Sequence, residues 1–381
     1  MFVRTVVLLG VGHTNAHILK EWARNPVADC RLVCISRFPI ATYSGMLPGT
    51  LAGQFSPDEM QIDLQKLVAR AGATLILADV TSVDWRQRVL HFDNAESLKF
   101  DILSVGVGSR PAGLPEETPE CLIPIKPMQT FLQRLDERLD VVAPKTGQLV
   151  KVVIVGGGVA SIEIALCLQS RLHFNFPHSN IRIRILTSAD ELVDELPPSS
   201  IRRIRTILQA RGIEVVTQSR VTEVDDSSIT INGVDRQSAD CVIWSTGAAA
   251  PPVLSRLGLP VDSHGFLVTK PTLQSAIDPL VFAVGDSGSI PETPFPKAGV
   301  YAVRQSPILW HNIKALLNGG SLLEFKPQSD FLKLLNTGDG RALLLYKSLT
   351  VHARWCWILK TWIDRKFLKN FQSQNDRIIE R

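Results

Sequence analysis

Apolar and polar positions along this chain fall into blocks that predict a repeated strand, turn and helix order. Val6-Val7-Leu8-Leu9 and Val152-Val153-Ile154-Val155 are short branched apolar runs without a polar face, as expected of strands buried on both sides of a parallel sheet. Each enters a glycine-rich turn, Gly10-Val11-Gly12-His13-Thr14-Asn15 or Gly156-Gly157-Gly158-Val159-Ala160-Ser161, about 146 positions apart. A helix-compatible stretch follows each turn, Ala16 to Ala23 and Ile162 to Leu172. The first half continues with a strand (Arg31 to Ser36), a helical segment (Pro57 to Ala71), short strands, and a run from Asp101 to Pro111. The second repeats it with a strand (Ile181 to Thr187), a helix (Pro198 to Arg211), strands, and Asp240 to Gly247. The halves read as copies of one unit, with proline-rich stretches (Pro111 to Pro127, Pro251 to Pro260) where the chain passes between them. Downstream, Pro279 to Asp286 is a short buried strand ending in Gly-Asp, followed by the helical run Ala298 to Leu317.

Glycine at such a turn lets the backbone bend tightly and approach a pyrophosphate, with the helix N-terminus aimed at its negative charge. The third position is Asn15 in one turn and Ser161 in the other, where glycine or alanine is usual; both are small and can cap a helix. Any strand-to-helix loop tolerates glycine, but the full order occurring twice points to two bound dinucleotides. An aspartate at the carboxyl end of a buried strand, such as Asp286, faces the ligand crevice of an open α/β sheet, although alone it also serves as a turn residue.

Composition narrows the class. With 381 residues, 45% hydrophobic and 20% charged, the chain is globular and too long for one core, so two or three domains are expected. The first strand begins at once, leaving no room for a signal peptide, and no apolar run approaches the ~20 residues of a membrane span, so a cytoplasmic location is expected. The six cysteines include no Cys-x-x-Cys and no zinc-like spacing, so no metal site is expected. Cys30 and Cys34, on one strand, would lie ~13 Å apart, too far for a disulfide.

The ordered set of both glycine turns, Val107-Gly108-Ser109-Arg110-Pro111, Ser245-Thr246-Gly247 and Val284-Gly285-Asp286 resembles the two-dinucleotide flavoproteins, the pyridine nucleotide-disulfide oxidoreductases, over residues 1 to about 320. That family contains disulfide reductases, type II NADH:quinone oxidoreductases and sulfide:quinone oxidoreductases. Tyr43 to Gly53, Ile62-Asp63-Leu64 and Pro296 to Gln305 are similar to its NADH-dehydrogenase-like branch, in particular the group associated with selenophosphate synthetase. The resemblance implies an α/β fold with two Rossmann-like domains and FAD and NAD(P)H as ligands. The FAD-binding domain would be discontinuous (1–112 and 260–325), the NAD(P)-binding domain (113–259) inserted in it, and an α+β appendage (326–381) would follow.

By the same resemblance Gly10, Gly12, His13 and Asn15 surround the FAD pyrophosphate, Asp286 binds the ribityl chain beside Gly285, and Arg110 and Pro111 lie near the cofactor. Ser36, Arg37, Val80, Gly108, Gly247 and Ala298 also fall along the cofactors. The Ser44 to Pro48 segment replaces the redox-disulfide loop and holds no cysteine, which leaves direct hydride transfer from nicotinamide to flavin. Gly156, Gly158 and Ser161 contact the second dinucleotide, with Glu163 near its nicotinamide end; an acid in the first turn of a helix also simply suits the helix dipole. Lys297 would stabilise an anionic reduced flavin, and Arg304 and Gln305 would donate to a quinone carbonyl; the plain alternative for both cations is a solvated surface position.

Departures from the family pattern matter equally. The acid expected on the adenosine ribose is replaced by Ser36-Arg37 in one unit and Leu186-Thr187-Ser188 in the other, so NADH and NADPH are not distinguished, and Arg182 or Arg184 favours a 2′-phosphate only if it points into the site. A sulfide or chalcogen:quinone oxidoreductase using Cys121 and Cys356 is the closest alternative, weakened by the lack of a thiol in Gly156 to Ser161; a non-catalytic flavin-binding partner in selenium metabolism is another. Near the C-terminus, Trp355, Leu359, Trp362 and Ile363 share a helical face in a basic segment (352–381), which suits an anionic membrane surface or a helix docked on its own core. No nucleic-acid motif accompanies these charges. The expected partners are thus NAD(P)H, a quinone or other small acceptor and the cytoplasmic face of a membrane, with a homodimer left open.

Overall fold

Two five-stranded parallel sheets carry the molecule, and each is built around one of the branched apolar runs. The computed structural model describes residues 3–115, 117–142, 149–177 and 180–372. In the first unit, β1 (Arg4–Leu9) leads into α1 (His13–Arg24) and β2 (Cys30–Ser36), then α2 (Leu47–Leu51), α3 (Leu64–Arg70), β3 (Thr74–Leu77) and β4 (Ile102–Val105). Val6, Val7 and Leu8 are fully buried because β1 lies between β2 and β4, with helices on one face and further apolar side chains on the other. The helical segment expected over Pro57 to Ala71 is divided: a 3-10 turn (Pro57–Met60), a short strand (Gln61–Asp63) paired with Ile40–Thr42, and only then α3. Asp63 makes the break by accepting a hydrogen bond from Lys66 N at 2.9 Å, an N-cap that starts the helix afresh.

The second unit contains β5 (Leu122–Pro124), α4 (Met128–Val142), β6 (Leu149–Val155), α5 (Val159–Asn175), β7 (Asn180–Leu186), α6 (Pro198–Ala210), β8 (Glu214–Val216) and β9 (Cys241–Trp244). Its parallel strand order is β5-β9-β6-β7-β8. The first sheet is completed by β10 (Val281–Ala283), giving β10-β4-β1-β2-β3, also parallel. The two orders correspond, but the outer strand beside β4 arrives late in the chain and the one beside β9 arrives early. Where the chain crosses between sheets, Arg110–Pro111 and Ala248–Ala249 pair antiparallel.

After β10 comes α7 (Gly299–Asn318), then an antiparallel sheet of β11 (Lys333–Asn336), β12 (Ala342–Tyr346) and β13 (Leu349–Ala353), and finally α8 (Arg354–Leu368). This last helix is inside-out. Cys356, Lys360, Thr361, Asp364 and Leu368 face the protein, whereas Trp355, Ile358, Trp362 and Ile363 are exposed. The expected face is therefore an outward one, with Leu359 half-buried at its margin. Among the described residues no helix is long and apolar enough to cross a membrane. The charges at Asp376, Arg377, Glu380 and Arg381 lie outside the described residues.

Candidate active site

The first crevice opens at the carboxyl ends of β1, β4 and β10. Gly10 has φ +80°, and a Cβ there would stand 2.7 Å from Gly106 O, so the turn requires glycine. Gly12 precedes α1 with no side chain capping the helix and no acid in its first turn, which leaves the N-terminal amides to an anion. Asn15, fully buried, works on the protein itself: Nδ2 donates to Gly10 O (2.7 Å), and Oδ1 accepts from Ser104 Oγ (2.8 Å). It braces the turn against β4. The His13 ring packs against Tyr43 and Phe367, each at 5.5 Å between centroids. Burial pushes its pKa down to about 4 against the pull of Asp286, so it is neutral at ordinary pH and adds no charge to a bound pyrophosphate.

Asp286 stands just beyond β10 and accepts from Ser109 Oγ at 2.6 Å, with Lys126 Nζ 3.4 Å from the same oxygen. Lys126 belongs to the other unit, so nothing near it in the sequence marked it. Gly108 N donates to Ser287 Oγ (3.0 Å), while Arg110 is exposed. At the end of β2, Ser36 Oγ donates to Phe38 O (2.8 Å), the exposed Arg37 pairs with Asp79 (2.9 Å), and Val80 is buried next to it. Gln305 is buried and its Oε1 accepts from Gly285 N at 2.7 Å, so its oxygen steadies the Gly285-Asp286 turn; Arg304, beside it, is exposed. Lys297 donates to Gly288 O at 2.5 Å and stands 4.1 Å above the Phe266 ring. It is half-buried, and burial lowers its pKa, with Asp286 and Asp262 opposing. Ala298 is the N-cap of α7.

The second crevice repeats the plan with different bonds. Gly156 has φ +123° and backs onto Ser245 O. Ser161, buried in the first turn of α5, donates to Ser245 O at 3.0 Å, the counterpart of the Asn15 brace. Gly158 caps α5 with its amides uncovered by any side chain, and Gly247 O accepts from Ala112 N (2.7 Å) at the crossing. Arg184 donates to Gln237 Oε1 (2.6 Å) on a strand of a separate antiparallel sheet (Asp235–Ser238), and Arg182 is exposed.

Glu163 lies beyond the first turn of α5, which begins at Val159, so the helix dipole does not explain it. Its Oε1 accepts from Asn336 N at 2.6 Å. Burial pushes its pKa up to about 7, against the lowering effects of Lys360 and the Asn336 amide. Lys360, only 9% exposed, donates to Gly45 O (2.7 Å) and Asp364 Oδ2 (3.1 Å). Burial disfavours its charge, but Glu163 and Asp364 outweigh that and raise its pKa. Tyr43 Oη donates to Asp364 Oδ1 (3.0 Å) and its ring stacks on Phe367 at 4.4 Å. Trp357 Nε1 and Asn336 Nδ2 both donate to Gln54 Oε1, at 3.0 and 2.7 Å. The charged face of α8 thus bonds to Tyr43 and Gly45, and the charge of Glu163 acts on Lys360. Sequence reasoning missed Lys360, Asp364 and Tyr43. The available signal was Lys360 and Asp364 four apart, on the helical side away from Trp355 and Trp362.

Neither candidate thiol is in this cluster. Cys121 Sγ donates to Asp225 O and burial pushes its pKa up to about 11; Cys356 is buried against Val351, its pKa also raised by burial. Reactive thiols show the opposite shift.

Two parallel sheets with glycine turns at the start of their central helices define a Rossmann-type α/β fold with paired dinucleotide crevices. The chain belongs to the pyridine nucleotide-disulphide oxidoreductase family, which it matches over residues 4–311. It is 28% identical over 299 residues to the demethylphylloquinone reductase NdbB of Synechocystis, covering 72% of this chain and 69% of that protein. It is 22% identical over 339 residues to the NADH dehydrogenase-like protein YutJ of Bacillus subtilis, covering 86% and 87%. The structure of NDH2 from Plasmodium falciparum in complex with NADH superimposes with a TM-score of 0.81 at 14% identity over 97% of both chains. The sulfide:quinone oxidoreductase of Aquifex aeolicus gives 0.79 at 17% identity, over 96% of this chain and 90% of that one. At these identities the structures establish the fold.

Proposed function

We propose that the chain is an FAD-dependent, NAD(P)H dehydrogenase-like oxidoreductase that delivers electrons to a quinone-type acceptor without a redox disulfide. The observation that carries this is the Ser44 to Pro48 turn, which holds no thiol and whose Gly45 O accepts from the buried Lys360, itself under the charge of Glu163. The residues fit the cofactor: a Cβ would fill the cradle at Gly10, the α1 amides are uncapped, and Asp286 waits at the strand end. FAD, when bound, accepts a hydride from the nicotinamide and releases two electrons to the acceptor. The α5 amides and Gly156 hold the second pyrophosphate. Glu163, whose pKa burial raises to about 7, can hold and release a proton at its carboxyl beside Lys360. On the Tyr43–Gly53 and Pro296–Gln305 segments we assign the chain to the branch associated with selenophosphate synthetase.

The outward face of α8 supports an anionic membrane surface as docking partner. Trp355 is 52% and Trp362 58% exposed, Lys366 stands 4.8 Å over the Trp362 ring, and Leu349 and Tyr346 project from the adjoining hairpin. Anaerobic mixing tests the whole reading. Wild-type protein with FAD should bleach with NADH or NADPH and recolour with a soluble benzoquinone. Bleaching by sulfide alone would favour the chalcogen reading, and no bleaching by any donor would favour a non-catalytic flavin protein.

A further inference from the structure

Asp286 carries two protein donors on one oxygen. Ser109 Oγ donates to Oδ2 at 2.6 Å, and Lys126 Nζ stands 3.4 Å from that atom while donating to Ser109 Oγ at 2.6 Å. Among the described residues no donor is bonded to Oδ1. The three side chains come from separate parts of the chain: Ser109 follows β4, Asp286 follows β10, and Lys126 follows β5, the outer strand of the other sheet. Among the described residues, the Lys126–Asp286 pair is the only ion pair between 113–259 and the strands and loops of the first sheet. A carboxylate held by one donor turns readily about its last torsion, whereas two donors on one oxygen, one of them charged, fix it.

We propose that Lys126 is a positioning residue: it holds the Asp286 carboxylate so that Oδ1 is presented to a hydroxyl of the dinucleotide in the first crevice. The lysine charge also offsets the carboxylate where a pyrophosphate must approach. Affinity for FAD is thereby tied to the seating of the inserted segment on the first sheet. This rests on the FAD reading above.

The test is FAD titration of stripped protein, followed by flavin fluorescence quenching, as a double-mutant cycle. Lys126→Met should weaken FAD about tenfold and Lys126→Arg should keep most of the affinity. In an Asp286→Asn background the Lys126→Met change should add almost nothing, because the lysine acts through that carboxylate. A purely structural role would instead multiply undiminished in both backgrounds. Lys126→Gln serves the same cycle should the methionine variant not fold. Wild-type affinity in Lys126→Met, or an undiminished effect beside Asp286→Asn, overturns the proposal. Wild-type protein that takes up no FAD overturns the functional reading with it.

Discussion

The two crevices share a strand order, a positive-φ glycine and an uncapped helix N-terminus, yet they are finished by different parts of the chain. In the first, Asn15 ties the turn to β4, Gln305 holds the Gly285-Asp286 turn, and Lys126 reaches in from the other sheet. In the second, Ser161 ties the turn to Ser245, while the nearby carboxylate, Glu163, is claimed by the appendage through Asn336 and Lys360. The backbone plan is shared, and residues from beyond each glycine turn decide how each crevice is braced. Beside the second, the carboxylate is held by the appendage instead.

The sharpest test of that division is at the glycines. Gly10→Ala combines a left-handed φ with a Cβ against Gly106 O, and should weaken FAD binding by about two orders of magnitude or more. Gly156→Ala should leave FAD bound and suppress bleaching by NAD(P)H to a similar degree; loss of FAD from both variants would mean the crevices do not act separately. Asp286→Ala removes a charged hydrogen-bond acceptor and should cost about 1.5–3 kcal/mol of FAD affinity, measured by fluorescence titration.

The outer and inner faces of α8 give the next contrast. Trp355→Ser with Trp362→Ser should reduce sedimentation with anionic vesicles about tenfold while moving unfolding free energy by less than about 0.5 kcal/mol, because both rings are exposed. Lys360→Met on the inner face should destabilise the fold, since it leaves Asp364 buried without its cation.

Glu163→Gln should have a smaller, pH-dependent effect. A carboxyl whose folded pKa is raised to about 7 contributes stability that is fully present below the ordinary carboxylate range and is lost as pH rises through about 7. The glutamine variant should therefore lack that decline in denaturation midpoints between about pH 4.5 and 7, and its reoxidation by benzoquinone should lose any inflection near pH 7. The smallest effect belongs to the thiols. Cys121→Ser with Cys356→Ser should leave flavin bleaching by NAD(P)H unchanged in stopped flow, since neither sulfur reaches the Ser44 to Pro48 turn.

Much of this architecture follows from local pattern. Val6 to Leu9 and Val152 to Val155 have no polar face, so only a position between two strands satisfies them, and the glycines after them mark where the backbone must turn with positive φ. The order of the elements and the lack of cysteine in Ser44 to Pro48 are likewise properties of the sequence itself. Tertiary structure decided everything that depends on partners distant along the chain: that Gln305 serves Gly285, that Lys126 reaches Asp286, and that α8 turns its tryptophans outward and its Lys360 and Asp364 inward onto Tyr43, Gly45 and Glu163. The reason is electrostatic. A lone lysine or carboxylate is cheapest in water, and only a specific buried counter-charge, supplied by folding, makes the interior its place.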